Sequence, residues 1–229
     1  MNFSFLTKTL LFRGASKEEV EKMLRCLSTH TKAFQKGEMI YHAGETVDCM
    51  GLVLSGSVNI ENDDVWGNKS IFSHVGVGRI FAETYACIPG ETLMINVIAA
   101  EKTEILFLNA TRLLEICPNS CAHHQKLIKN LLQISAQKNL ELSRRILHTS
   151  SKTIRGRLLS YFSEQAMQNG SYQFTIPFNR QQLADYLGVD RSAMSNELSK
   201  MRNDGILSYE KNTFALRRTT IEENQTLPL

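Results

Sequence analysis

Arg180-Gln-Gln-Leu-Ala-Asp-Tyr-Leu-Gly-Val-Asp-Arg-Ser-Ala-Met-Ser-Asn-Glu-Leu-Ser199 is the stretch on which the reading of this chain turns. Two helices cross at a sharp angle only where the contact residues are small and the turn tolerates a positive φ. Ala184 supplies the small contact and Gly188 the turn, while Leu183, Leu187, Val189, Met194 and Leu198 supply a small core. Alanine four residues before the glycine and an apolar residue six after it is the spacing of a DNA-binding helix-turn-helix. The alternative is an αα corner in an all-helical domain. The residues downstream favour the first reading. Gly205 stops the second helix, and Ile206–Tyr209 and Thr213–Leu216 read as two short strands around Glu210-Lys211-Asn212, which makes a winged version.

Asp190 caps the second helix, which is expected over Arg191 to Asn203. Its groove-facing positions are Arg191, Ser192, Ser195 and Asn196. Arginine donates two hydrogen bonds to guanine, asparagine pairs with adenine, and serine does not discriminate. Arg191 could also be bonded to phosphate alone. Ser199, Lys200 and Arg202 are better placed for phosphates, and Arg180 completes the expected DNA-binding set. From Arg144 to Arg218 there are twelve Lys or Arg against six Asp or Glu, a net +6 in a chain of +3 overall. A basic segment behind a near-neutral one suggests a polyanionic partner.

Upstream, Ser151 to Gln168 reads as a helix ended by Asn169-Gly170. Before it, a long helical pattern follows Pro118 and runs to about Thr149, with Asn119 or Ser120 as cap. Ile128, Leu131, Ser135, Leu142 and Ile146 lie close to one stripe at heptad-like spacing, with polar Lys138 and Asn139 in the middle. That pattern points to pairing with a second copy, against the alternative of a helix packed on its own sheet domain. From Thr31 to Ala110 glycines punctuate short runs: Met39-Ile40-Tyr41, Leu52-Val53-Leu54, Ser57–Ile60, Ser70-Ile71-Phe72, Ile95–Ala100 and Glu104–Leu108. Short strands at such intervals argue for an antiparallel sandwich or barrel. Residues 16–28 form an amphipathic helix in which Ser16 and Glu19 make a capping box.

The composition is that of an ordinary globular protein, 229 residues with 42% hydrophobic and 21% charged. No apolar run is long enough to span a membrane, and the N-terminus lacks a signal-peptide pattern. Five cysteines at irregular positions make no disulfide framework, so a cytoplasmic location is expected. Cys117, Cys121, His123 and His124 cluster, but not at a standard zinc spacing, and no metal site is expected. No nucleophile, zinc-protease or phosphate-loop motif appears, so the chain is not expected to be an enzyme.

The order of a glycine-punctuated β domain, a long helix and a winged helix-turn-helix resembles the Crp/Fnr regulators. In the first domain the resemblance rests on Gly37-Glu38-Met39-Ile40-Tyr41, Gly44-Glu45, Leu54-Ser55-Gly56-Ser57-Val58 and Gly78-Arg79-Ile80-Phe81-Ala82-Glu83, and in the second on Arg180 to Leu198. It implies an α+β chain: an antiparallel β-roll sensor over 1–118, a dimerisation helix over 119–150 and a DNA-binding domain over 151–229. The implied partners are a double-stranded DNA operator of two-fold symmetry, a second copy of the chain, and RNA polymerase, with no membrane. The implied mechanism is a population shift toward the dimer that sets two recognition helices about 34 Å apart.

The sensor departs from the family's cyclic-nucleotide pattern. That pattern is Gly-Glu-Leu, then an arginine ten residues after the glutamate with a serine beside it. Here Glu83 stands between Ala82 and Thr84, and the arginine and serine positions hold Leu93 and Met94. The purine-contacting pair of the family's cyclic-nucleotide binders falls at Leu142 and Ser143. A phosphate facing Leu93 would lack its charge partner, which costs several kcal/mol. The expectation is therefore an effector other than cyclic AMP, a more apolar one or none, and no cofactor is identified. Glu83 faces that pocket or is a solvated turn carboxylate. With no cysteine before Cys26, the family's N-terminal iron–sulfur ligand set is missing as well.

Overall fold

The computed structural model describes residues 2–63, 69–114 and 122–217. Two compact units divide the chain, Met1–Gln137 and Lys138–Leu229. In the first, α1 (Phe3–Leu6) and α2 (Lys17–Cys26) precede the sheets. The Ser16 hydroxyl accepts from the Glu19 backbone N–H while the Glu19 carboxylate accepts from that of Ser16, so the expected capping box is present.

The strands follow as β1 (His30–Phe34), β2 (Met39–Tyr41), β3 (Cys49–Ser55), β4 (Ser57–Asp63), β5 (Lys69–Gly76) and β6 (Ile80–Phe81). The short α3 (Glu83–Ala86), β7 (Asn96–Ala99), β8 (Thr103–Asn109) and α4 (Ala110–Leu114) complete the series. They pair antiparallel into two four-stranded sheets, ordered β1-β8-β3-β6 and β2-β7-β4-β5. All six apolar runs singled out in the sequence overlap β2, β3, β4, β5, β7 or β8.

Period-two alternation explains how the first sheet is buried on both faces. Met50, Leu52, Leu106 and Leu108 pack with Leu6, Leu11, Phe12 and the apolar side of α2. Val53, Ile105 and Phe107 point the other way and meet Val58, Val97 and Ala99 of the second sheet. Gly51 permits the closest approach inside the sandwich, since a Cβ there would stand 2.1 Å from Cζ of Phe81.

The long helix is α5 (Ala122–Thr149); residues 115–121, where its start and cap were expected, lie outside the described residues. Leu127 and Leu131 join the core of the first unit, and Asn130 Nδ2 donates to the Leu11 and Arg13 carbonyls at 2.9 Å. Leu131, expected on the dimer stripe, thus faces its own chain at 6% exposure. Its neighbour Leu132 is turned outward at 68%, with Ile128, Leu142 and Ile146 also exposed. The hundred-degree step of an α-helix places these four near one line with Ser135 between them. The heptad spacing does not tell Leu131 from Leu132, because both border the expected stripe.

In the second unit α6 (Ile154–Asn169) begins later than expected, because the Thr153 hydroxyl caps it through the Gly156 N–H. There follow β9 (Gln173–Thr175), α7 (Arg180–Leu187), α8 (Arg191–Asn203), β10 (Leu207–Glu210) and β11 (Thr213–Leu216). The sheet order is β10-β11-β9. β9, not expected from the sequence, is three residues with one apolar side chain, which carry no readable alternation. Leu158, Phe162, Leu183, Met194, Leu198, Leu207 and Phe214 form the core on which the two helices of the motif cross.

Candidate nucleic-acid interface

The turn between α7 and α8 is built as the spacing required. Ala184 is fully buried, and Gly188 takes φ +63° in the left-handed region. The turn is further clamped by Arg157 of α6. Its Nη1 donates to the carbonyls of Leu187 (2.9 Å) and Gly188 (3.0 Å), and its Nε donates to that of Ser151 (2.9 Å). In the sequence Arg157 is one of twelve cations, with nothing local to mark this role. Asn179 caps α7 in a second capping box with Gln182.

Asp190 caps α8. Its Oδ1 accepts from the Ser192 hydroxyl at 2.5 Å and from the Ala193 N–H at 2.8 Å. The serine bond, followed by the backbone ones, holds this carboxyl below its usual range. Met194, Leu198 and Met201 are buried, which leaves Arg191, Ser192, Asn196, Lys200 and Arg202 exposed. Ser195 and Ser199 are half-buried, and their hydroxyls donate back to the Arg191 and Ser195 carbonyls at 2.9 and 3.0 Å. Back-bonding of this kind competes with any base contact. Arg202 lies over the Tyr209 ring at 5.3 Å.

Arg180, also expected at the interface, has a second employment. Its guanidinium sits 4.8 Å from the Tyr209 ring centroid and 5.0 Å from that of Phe214, joining α7 to the wing. Burial lowers its pKa. The same side chain lines a shallow depression with Asn179, Gln181, Arg191, Lys211 and Asn212. Three cations and three amide side chains line it, with no carboxylate among them. Lys211, at the tip of the wing, adopts φ +49°, an uncommon conformation for a side chain other than glycine, asparagine or aspartate. A cation at a hairpin tip beside a basic helix was the available signal for it.

Several cations of the +6 segment are engaged internally. Arg144 pairs with Glu164 at 3.0 Å, and Arg155 pairs with Glu197 at 2.5 Å and Asp204 at 2.7 Å. Arg145 donates to the Tyr186 and Asp185 carbonyls. These pairs occupy three carboxylates as well, while Arg191, Lys200, Arg202 and Lys211 stay exposed.

In the first unit Glu83 is 4% exposed at the start of α3, so it is not a solvated turn carboxylate. Ala82 before it holds φ +59°, the left-handed conformation that suits the family's glycine. Leu93 is 2% exposed, tied into the chain by Leu93 N–H to Glu45 O and Gly44 N–H to Leu93 O. Met94 is 73% exposed and Thr84 is exposed. Tyr41, Phe81, Phe34 and Phe107 fill the sandwich interior with edge-to-face ring contacts. The positions of the family's arginine and serine are thus a buried leucine and an exposed methionine. Leu142 and Ser143 are exposed on α5, and the Ser143 hydroxyl donates to Asn139 Oδ1 at 3.3 Å. Cys117 and Cys121 lie outside the described residues, as do the side chains of His123 and His124. Among the described residues no three metal-ligating side chains converge, and no helix is long and apolar enough to cross a membrane.

Comparison with known proteins agrees with this architecture. Residues 31–120 match the cyclic nucleotide-binding domain and residues 156–221 the Crp-like helix-turn-helix domain. The cyclic AMP receptor protein of Thermus thermophilus is 24% identical over 215 residues, 93% of this chain and 94% of that protein. The transcriptional activator protein FnrL of Cereibacter sphaeroides is 22% identical over 190 residues, 78% of this chain and 73% of that one. The solved structure of CprK complexed with OCPA shares the fold at a TM-score of 0.61 and 17% identity, covering 86% of this chain and 89% of that one.

Proposed function

Because the chain belongs to the Crp/Fnr type of transcription regulators, a cyclic nucleotide-binding domain ahead of a Crp-like helix-turn-helix, we propose that it binds a two-fold operator as a homodimer paired along α5. Arg191 and Asn196 read bases in this proposal, and Lys200, Arg202 and Lys211 hold phosphates. The observation that carries the proposal is the carboxylate-free depression where Arg180, Arg191 and Lys211 converge. Phosphate contacts set register and supply the salt-dependent part of the affinity, while base contacts choose the site. Pairing rests on the apolar line of Ile128, Leu132, Leu142 and Ile146, which the chain itself leaves exposed. The bound dimer then acts on RNA polymerase, under an effector that is not cyclic AMP.

The test is fluorescence anisotropy with random duplex DNA over a salt series, then selection of a preferred site from a random pool. Steeply salt-dependent binding and a selected site with inverted half-sites one helical turn apart support the proposal. Salt-insensitive binding, or a selected site without symmetry, refutes it.

A further inference from the structure

One buried ionisable group takes no part in the DNA face. His148, in the last turn of α5, is 1% exposed. Its Nδ1 is 2.9 Å from the Tyr186 hydroxyl of α7. Its Nε2 is 2.6 Å from Glu164 Oε2 of α6, off the line of a hydrogen bond. Tyr161 of α6 stands edge-on to the ring at 5.4 Å and 89°. One imidazole therefore touches both helices that carry the reading helix: α6, and α7 two residues before the Gly188 turn.

The surrounding charges reinforce the join. Arg144 of α5 pairs with Glu164, and Gln168 donates to the same carboxylate at 2.7 Å. Arg145 of α5 donates to the last carbonyls of α7, where a cation also complements the helix dipole. Burial pushes up the pKa of the Tyr186 hydroxyl, and Glu164 adds to that. Apolar packing tolerates small rotations of one helix on another. Contacts from a single ring to a carboxylate and a hydroxyl on two different helices do not, since a rotation of either helix breaks one of them. A larger apolar residue would fill the space without that directional constraint.

We propose that His148 is a positioning residue for two-fold DNA binding: with Glu164 and Tyr186 it fixes the helix-turn-helix on the last turn of α5. The proposal rests on the homodimer reading of α5. If two copies pair along that helix, the angle between its last turn and α7 sets the separation of the two reading helices. A single half-site needs only one reading helix and is indifferent to that angle. A full operator needs both helices in register, and its extra affinity is an effective-concentration gain that geometry can abolish.

The experiment uses the full chain and two duplexes, the operator selected by the wild-type protein and the same duplex with one half-site scrambled. The quantity read is the ratio of their affinities. His148→Leu lowers that ratio tenfold or more and leaves half-site affinity within twofold. His148→Gln, which keeps a polar side chain within reach of Glu164 and Tyr186, restores the ratio to within threefold of wild type. Tyr186→Phe removes only the hydroxyl and lowers the ratio at least threefold; it carries the test by itself if circular dichroism shows His148→Leu unfolded. An unchanged ratio in the folded variants overturns the proposal and leaves His148 as core packing. A wild-type protein with equal affinity for both duplexes overturns the dimer reading, and the positioning role with it.

Discussion

Neutralising the wing tip by Lys211→Gln gives the sharpest test of the DNA face. Lys211 is exposed, holds φ +49°, and lines the same depression as Arg180 and Arg191. Glutamine is one bond shorter, stays polar and inherits the same backbone conformation at an exposed position, so the fold should be unaffected. The three cations assigned to phosphates, Lys200, Arg202 and Lys211, are all exposed and would make about six phosphate contacts in a dimer. At about −0.9 per contact, the logarithm of the binding constant should fall against log salt with a slope of roughly −5. Removing one cation from each protomer should make the slope shallower by about 1.8. If counterion release supplies the whole contact energy, the same arithmetic at 0.1 M salt gives a loss of about 60-fold. The assay is anisotropy titration of a labelled duplex at four or more salt concentrations, for wild type and variant in parallel. The loss should be similar on specific and random DNA, because a phosphate carries no sequence information. A change of slope near 0.9 would indicate that one protomer engages at a time. An unchanged slope with affinity within twofold of wild type would remove the wing from the interface.

Arg191→Ala should cost about 1–3 kcal/mol on the selected operator and relax preference at one base pair; a uniform loss on all sequences would mean a phosphate contact instead. Leu142→Asp, at a position 61% exposed on α5, should split the dimer by placing like charges in the apolar line. Light scattering at micromolar concentration checks it, and an unchanged dimer mass would take that residue out of the seam. Leu131→Ala should instead destabilise the first unit by about 2–5 kcal/mol in urea melts, since it empties a core position. Calorimetry with millimolar cyclic AMP and cyclic GMP should show no binding tighter than about 50 μM, roughly −6 kcal/mol. A tighter constant would mean that another cation replaces the arginine missing at Leu93.

The helix-turn-helix was legible in the sequence because its requirements are local. Ala184, Gly188 and Asp190 act within a few residues of themselves, through a close contact, a positive φ and an N-cap. The same holds for the Ser16–Glu19 box and for strands marked by apolar runs such as β2 and β8. The departure at Leu93 and Met94 was also visible, since it lies in residue identity alone. What the tertiary structure decided is which side chains are already occupied. Charge counting could not separate Lys200 at the surface from Arg155 paired with Glu197 and Asp204, or from Arg157 bonded to Leu187 and Gly188. Helical periodicity could not turn Leu131 inward and Leu132 outward, because that choice depends on Leu11, Phe12 and the apolar side of α2 meeting α5. A scattered histidine became the node at the end of α5 only when Glu164 and Tyr186, 16 and 38 residues further on, arrived beside it. Propensity and capping act along the chain over a turn or two. Burial and charge pairing act between residues that folding brings together, and there the sequence supplies candidates without assigning their partners.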